Sequence, residues 1–453
     1  MNPLDTIVAL ATAPGISAIA VVRLSGDDSI SIVQKIFKGK DLTSQPSHTI
    51  HFGKLVVAGD EIDEVLVSIF REPSSFTKEN SVEISCHGSP FIATKIIQSL
   101  VEAGARLATP GEFTKRAFLN KRFDLTQAEA VADLIQAENE AARRTALHQM
   151  RGGFKKDLES LRQELIHFAS LVELELDFGE EDVEFAKRDE LKNMVLRLQS
   201  FIKPLIDSFQ TGNVIKNGIR TVIAGKPNAG KSTLLNALLN EERAIVSEIP
   251  GTTRDVIEDV IHLDGLAIRF IDTAGLRDAL DPIEAIGVDR TWQEMRKSNL
   301  ILYLVDLTST TREEIKTQEE KLGELGIPYL LVGNKMDQAK GGLTNLISDS
   351  GFVLISALEK TNLQALKNRI TNLFQNVKAS PDSTIVTNLR HYQNLAETSE
   401  ALKRVILGLD TRLSGDFIAM DIRQALFYLG VITGEISTED LLDSIFSRFC
   451  IGK

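Results

Sequence analysis

The stretch that decides the fold is GKPNAGKST, residues 225–233. It follows the apolar run TVIA (221–224) and precedes the helix-forming run LLNALL (234–239). This is G-x-x-x-x-G-K-[ST] between a strand and a helix, a loop whose backbone N–H groups close around nucleotide phosphates. Lys231 is placed to neutralise the β- and γ-phosphates and Ser232 to ligate Mg2+, with Asn228, Ala229, Gly230 and Thr233 completing the cradle.

Four further elements follow in order. GTTRD (251–255) offers Thr252 and Thr253 to close on the γ-phosphate and its metal. DTAG (272–275) ends a predicted strand, so Asp272 reaches the Mg2+ shell and Gly275 turns its N–H to the γ-phosphate, with Thr273 and Ala274 between them. NKMD (334–337) also follows an apolar strand. There Asp337 can accept from both N1–H and the exocyclic amine of guanine, a pair of donors adenine does not present, and Asn334 and Lys335 accompany it. SAL (356–358) brings Ser356 and Ala357 backbone to the base. Each tetrapeptide alone is a weak signal; five in this order specify a guanine-nucleotide domain.

The departures inform the chemistry. Ras-like enzymes carry Gln just after D-x-x-G to orient the attacking water, whereas this chain has Leu276. No intrinsic arginine finger stands out, with Arg254 and Arg277 as candidates. Asn228 suggests another device: its amide oxygen, with carbonyls of SEIPGTT (247–253), would hold a monovalent cation against the phosphates. Such a charge acts where an arginine finger does, a role worth ~10³–10⁵ in rate. A turn hydrogen bond is the other reading of Asn228.

Around this loop, IRTVIAG, LAIRFIDTAG, LILYLVD, PYLLVGNK and FVLISA alternate with helical segments, a βαβ rhythm that predicts a mostly parallel sheet over residues 216–379. Residues 1–118 alternate β-rich runs (AIAVVRLSG, HTIHFGKLVV, DEVLVSIF) with helical PFIATKIIQSLVEAG, which ends at Gly104, a C-cap. Residues 119–215 carry long amphipathic helices, among them LTQAEAVADLIQAENEAARRTALHQM and LESLRQELIHFASLVELELDF, joined through the acidic GEEDVEFAKRDE. Residues 380–453 are helical again. The expected architecture is multidomain: an α+β N-terminal domain, a discontinuous all-α domain, and an α/β P-loop GTPase domain inserted into it.

Composition agrees. The 453 residues, 43% hydrophobic and 25% charged, suit a globular chain of several domains. Two cysteines build neither a disulfide framework nor a four-ligand zinc site, which fits a reducing cytosol. The start MNPLDTIVALATAPG has no basic segment leading an apolar core, and no apolar run approaches ~18 residues, so the chain reads as cytoplasmic with no membrane partner. A net charge of −12 argues against broad electrostatic coating of nucleic acid and confines any RNA contact to a local basic stretch such as TKRAFLNKRF (114–123).

Read with both ends of the chain (DTIVALATAPG, PGEFTKRAFLNKRFDLTQAEAVADLI, IPGTTRD, DTAGLR, GVDRTWQE and the terminal FCIGK), these motifs resemble the MnmE (TrmE) family of bacterial tRNA-modification GTPases over the whole length. The resemblance implies a homodimer formed by the N-terminal domain, which also binds 5-formyltetrahydrofolate or a related one-carbon folate. It implies an FAD-dependent partner, MnmG (GidA). With that partner the family builds a carboxymethylaminomethyl or aminomethyl group at C5 of the wobble uridine of tRNA. It further implies potassium-stimulated hydrolysis, with Asn228 and carbonyls of the Ser247–Thr252 segment, Ile249 among them, resembling the K+ ligands. Glu284 matches the family's water-orienting carboxylate.

The folate contacts fall on Arg23, Glu83, Arg122 and Lys453, with Arg122 standing where relatives commonly carry Lys. Arg23 is then expected to face the glutamate tail and Glu83 the pterin donors. Cys450 lies beside a one-carbon donor in that reading, where a thiolate could act as nucleophile or proton carrier; packing of a last helix by a small apolar residue is its alternative. Cys86 reads as a packed strand residue and His87 as a satisfied turn histidine. The rival functions are a ribosome-assembly GTPase that binds RNA without one-carbon chemistry, and a switch that only positions a partner. The first lacks an identifiable RNA-binding domain or basic tail here.

Overall fold

The computed structural model describes residues 5–177, 188–243, 259–271, 292–339, 352–374 and 384–452. By its internal contacts the chain divides into two compact units, residues 1–135, 147–200 and 394–453 in one, and 136–146 and 201–393 in the other.

The first unit is built on a seven-stranded sheet in the order β3-β4-β5-β6-β2-β1-β7. The strands are β1 (Ile7–Leu10), β2 (Ile19–Ser25), β3 (Phe37–Lys38), β4 (Thr49–Val57), β5 (Asp60–Phe70), β6 (Ser81–His87) and β7 (Arg106–Leu107). Alternation decides what each face does. In β2, Ala20, Val22 and Leu24 are buried against the helices Ser29–Ile36 and Pro90–Glu102, while Arg23 points to the opposite face. Cross-strand register then sets Glu83 of β6 directly opposite Arg23. On that opposite face Ile7, Ala9 and Phe113 form a small second cluster with Phe76 against it.

The helical part of this unit includes Leu125–Ile135, Gly153–Asp177, Gly415–Thr433 and Glu439–Phe446. The single helix expected over 125–150 is two, Leu125–Ile135 and Glu140–Met150. Asn139 interrupts it, its Oδ1 accepting the Ala142 N–H at 2.8 Å as an N-cap does. The acidic connection lies mostly outside the described residues.

The basic stretch 114–123 is divided, with Lys121 and Arg122 exposed and the other two cations taken up inside the fold. Lys115 and Arg116 are buried, and acids from distant positions neutralise them: Asp443 sits 2.6 Å from Lys115, and Asp5 2.6 Å from Arg116. Glu79 and Glu112 complete the shell around Arg116. Two buried cations are tolerable here because each faces an opposite charge.

The second unit carries a six-stranded sheet, order β13-β12-β11-β8-β10-β9, made of β8 (Ile219–Gly225), β9 (Asp259–Leu263), β10 (Leu266–Phe270), β11 (Leu300–Asp306), β12 (Tyr329–Asn334) and β13 (Val353–Leu354). All neighbours pair in parallel except β9 with β10, as the βαβ rhythm predicts. The central strands are apolar on both faces. Ile223 of β8 joins one core layer, whereas Val222 and Ala224 join the other. The chain leaves β8 toward one side of the sheet and returns at β11 on the other. The resulting crevice opens at the carboxyl ends of these strands, where ligands bind in open α/β sheets.

Candidate functional site

At that crevice the loop after β8 leads into the helix Lys231–Arg243. The turn needs left-handed backbone at Asn228 (φ 60°) and at Gly230 (φ 95°). Gly230 is required for space as well, because a Cβ there would lie 2.2 Å from the Asn334 amide nitrogen. Lys231 reaches back over the loop, its Nζ donating to the carbonyls of Gly225 at 2.9 Å and Lys226 at 3.0 Å. Burial pushes the Lys231 ammonium below its usual range, and an anion seated beside it would oppose that shift.

Asn334 ties three motifs together. Its Nδ2 donates to the Ala229 carbonyl at 2.8 Å, and its Oδ1 accepts the Ala357 N–H at 3.0 Å. The phosphate loop, NKMD and SAL are thereby braced by one buried amide. Lys335, also left-handed at φ 65°, pairs with Asp306 at 2.6 Å. Asp337 stays exposed, and a hydrogen bond from Ser356 holds its carboxyl below the usual carboxylate range, ready to accept from a base edge. A left-handed glycine-containing loop leading into a helix N-terminus, a lysine and a following serine fit a nucleoside triphosphate with Mg2+. The other nucleotide residues, Ser247, Ile249, Thr252, Thr253, Asp272, Thr273, Ala274, Gly275 and Glu284, lie outside the described residues.

A second constellation occupies the face of the first unit's sheet opposite its main core. Arg23 donates from Nε and Nη2 to one oxygen of Glu83, Oε1, at 2.9 and 2.7 Å, a charge-assisted pair. Its guanidinium also lies 5.7 Å from the Phe76 ring centre, and that of Arg122 lies 5.3 Å from the same ring. Phe76 thus links the three described residues that the family resemblance names, although its own position carried no signal in the sequence.

The terminal tail reaches this face. Arg23 Nη1 donates to the Gly452 carbonyl at 3.4 Å, and Gly111 N–H to the Cys450 carbonyl at 3.4 Å. Gly452 is left-handed (φ 94°), and a Cβ on it would come within 2.2 Å of the Leu10 carbonyl. Only glycine lets the tail lie this close. A glycine one residue from the end of FCIGK was the available clue. Lys453 lies outside the described residues.

Cys450 does not pack in a core; its neighbour Phe449 takes that place, leaving the thiol exposed. Cys86 is the packed strand residue expected of it: its Sγ donates to the Ala20 carbonyl, and burial pushes its thiol up to about 11. His87 is satisfied by Asp63, 2.6 Å from its Nδ1. One fast equivalent of a thiol reagent should therefore react with the folded protein at neutral pH and be lost in Cys450→Ser, with the second appearing only on unfolding. Two fast equivalents in the native state would contradict this assignment.

Comparison with known proteins covers the whole chain. The family model for the GTP-binding protein TrmE N-terminus matches residues 6–122, and that for the MnmE helical domain matches residues 125–450. The chain is 54% identical to the tRNA modification GTPase MnmE of Cytophaga hutchinsonii, over 100% of this chain and 98% of that one. It is 48% identical to the protein of that name from Flavobacterium johnsoniae and 46% to that from Bacteroides thetaiotaomicron, each over 99% of both chains. Among solved structures, a GTP-binding protein from Sulfolobus solfataricus in complex with GDP is similar over 64% of this chain and 78% of its own, at 19% identity and a TM-score of 0.27. At that score the nucleotide-binding fold rests on its own topology. With matches along its whole length, this chain belongs to the MnmE (TrmE) family of tRNA modification GTPases.

Proposed function

We propose that the chain is a potassium-dependent GTP hydrolase that modifies tRNA. With an FAD-containing partner of the MnmG (GidA) kind, it installs a carboxymethylaminomethyl or aminomethyl group at C5 of the wobble uridine. The observation that carries the reading is the Asn334 brace, which holds the phosphate loop and two guanine-recognition motifs at one crevice. The relatives are named tRNA modification GTPases, and the same substrate class is assigned to this chain.

In this reading Lys231 would balance phosphate charge, and Ser232 and Thr253 would hold Mg2+, which would supply positive charge to the phosphates. Asp272 would support that metal, and Gly275 would give its N–H to the γ-phosphate. Asp337 selects guanine. Leu276 has no polar atom with which to orient water, so that task goes to Glu284. Asn228, in left-handed backbone within the phosphate loop, would join carbonyls of Ser247, Ile249 and Thr252 in holding K+, which would add positive charge at the phosphates. The folate site uses Arg23, Glu83, Arg122 and Lys453; its fit rests on Phe76 as an aromatic platform between two guanidiniums and on the docked tail. Cys450, exposed on that tail, is the candidate nucleophile or proton carrier. The proposed domains are 1–118 for folate binding and homodimerisation, 119–215 with 380–453 for the helical part, and 216–379 for the GTPase. The cytoplasm is the proposed location; among the described residues no helix is long and apolar enough to cross a membrane.

The test is GTP turnover in K+ and in Na+ at matched ionic strength. Turnover should fall by about tenfold or more in Na+; equal rates would remove the cation from the mechanism. Glu284→Ala should slow turnover and leave nucleotide affinity nearly unchanged, since its work is confined to the transition state.

A further inference from the structure

Beside Arg122 opens a cavity of about 440 Å³ whose walls include His48, Phe70, Phe76, Lys78 and Ser75. In a chain of net charge −12, no carboxylate is among its lining residues. The two guanidiniums that share Phe76 differ in one respect. Arg23 is already neutralised by Glu83, whereas Arg122 has no carboxylate partner among the described residues. Instead Arg122 donates to the Ser75 carbonyl and lies against the rings of Phe76 and Phe123, at 5.3 and 5.2 Å. Arg122 keeps much of its side chain exposed, while partial desolvation against the two rings pushes its guanidinium down from its ordinary range. An anion in the cavity would supply the opposite charge that the described carboxylates do not.

The remaining wall agrees. Lys78 is held in left-handed backbone (φ 62°), and its Nζ donates to the Lys121 carbonyl at 3.0 Å, which keeps a second cation at the rim. Ser75 lines the cavity and its buried hydroxyl has no hydrogen-bond partner among the described residues. His48 stands edge-on to Phe70, their ring centres 5.5 Å apart.

We propose that this cavity is an anion subsite for the γ-linked polyglutamate tail of the folate, with Arg122 and Lys78 rather than Arg23 carrying the tail's charge. The assignment rests on the folate reading given above and deepens it: the ligand class becomes a polyglutamylated one-carbon folate. Phe76 connects the Arg23–Glu83 pair, left to the head of the molecule, with the cavity that takes the tail. No bond is made or broken at this subsite; it selects by charge.

The test is calorimetric titration of the full chain with 5-formyltetrahydrofolate bearing one or five glutamates. The pentaglutamate form should bind about tenfold more tightly, one strong charge-assisted contact's worth, and the gain should shrink with added salt. Lys78→Glu should abolish the gain while affinity for the monoglutamate stays within about twofold. Equal affinity for the two forms in the unaltered chain overturns the subsite and leaves the folate reading standing. If neither folate binds, the folate reading fails, and γ-pentaglutamate alone decides the subsite. Saturable binding lost in Lys78→Glu would uphold an anion site, and no binding would overturn it.

Discussion

Arg116→Ala should destabilise the first unit by about 3–5 kcal/mol, the usual cost of removing one partner from a buried ion cluster. Arg116 donates to Asp5 at 2.6 Å, to Glu112 at 3.2 Å and to Glu79 at 3.3 Å, and its side chain is only 10% exposed. Arg106 pairs with Asp5 and Glu112 from the other side, so deletion of Arg116 leaves three carboxylates to one guanidinium. The lost charge cannot be replaced by water at Glu112, which is 1% exposed. Arg116→Lys should recover part of the loss, since an ammonium restores charge but not the planar fork.

Acid should act on the same cluster. The Arg106 hydrogen bond, with Arg116 adding to it, holds the Asp5 carboxyl below its ordinary range against the opposing effect of burial. At Glu112 burial is the largest single influence and raises the carboxyl, but hydrogen bonds from Arg106 and the Thr109 backbone, with both arginine charges, outweigh it and leave it lowered. Carboxylates depressed on folding contribute stability above their unfolded-state values, and that stability is lost as pH falls through the folded ones. Urea transitions followed by far-UV circular dichroism should therefore shift to lower urea as pH falls below about 4, and less steeply in Arg116→Ala. A shift under 1 kcal/mol on substitution at neutral pH would mean that solvent, not the arginine, compensates these acids.

Asn334→Ala should weaken guanine nucleotide binding by about a hundredfold. It removes the Nδ2 donor to the Ala229 carbonyl and the acceptor of the Ala357 N–H, at 2.8 and 3.0 Å, from a residue that is 3% exposed. Each buried backbone group left without a partner costs about 1–3 kcal/mol, and every 1.4 kcal/mol is about tenfold in affinity. Both groups belong to segments that meet the ligand, so the cost falls on the bound geometry and should show mainly as faster release. Asn334→Asp should not rescue: its carboxylate still accepts from Ala357 but faces the Ala229 carbonyl with a second acceptor. Stopped-flow release of a fluorescent GDP analogue measures both variants. Affinity within about threefold of the unaltered chain would show the brace to be dispensable.

The nucleotide site was legible because its signals are local. A strand-loop-helix with glycine where backbone must turn left-handed is written in nine consecutive residues, and the carboxyl ends of parallel strands bring NKMD and SAL to the same edge without further instruction. Arg23 and Glu83 were singled out only by the family resemblance, and the observed strand alternation turns Arg23 from the core. Yet only the register of β2 against β6 made them a pair.

The rest was decided by groups far apart in the chain. Lys115 and Arg116 read as a basic patch because the acids that neutralise them stand 328 and 111 positions away. Asn139 splits a continuous helical pattern by offering its own side chain as a cap, a competition periodicity does not register. The seat of the tail depends on the absence of a Cβ at Gly452 against the Leu10 carbonyl. Charge compensation and close backbone approach are pairwise facts of the folded chain, so only the tertiary structure sets Arg122 against Phe76 and a cavity lined by no carboxylate, with no carboxylate partner of its own among the described residues.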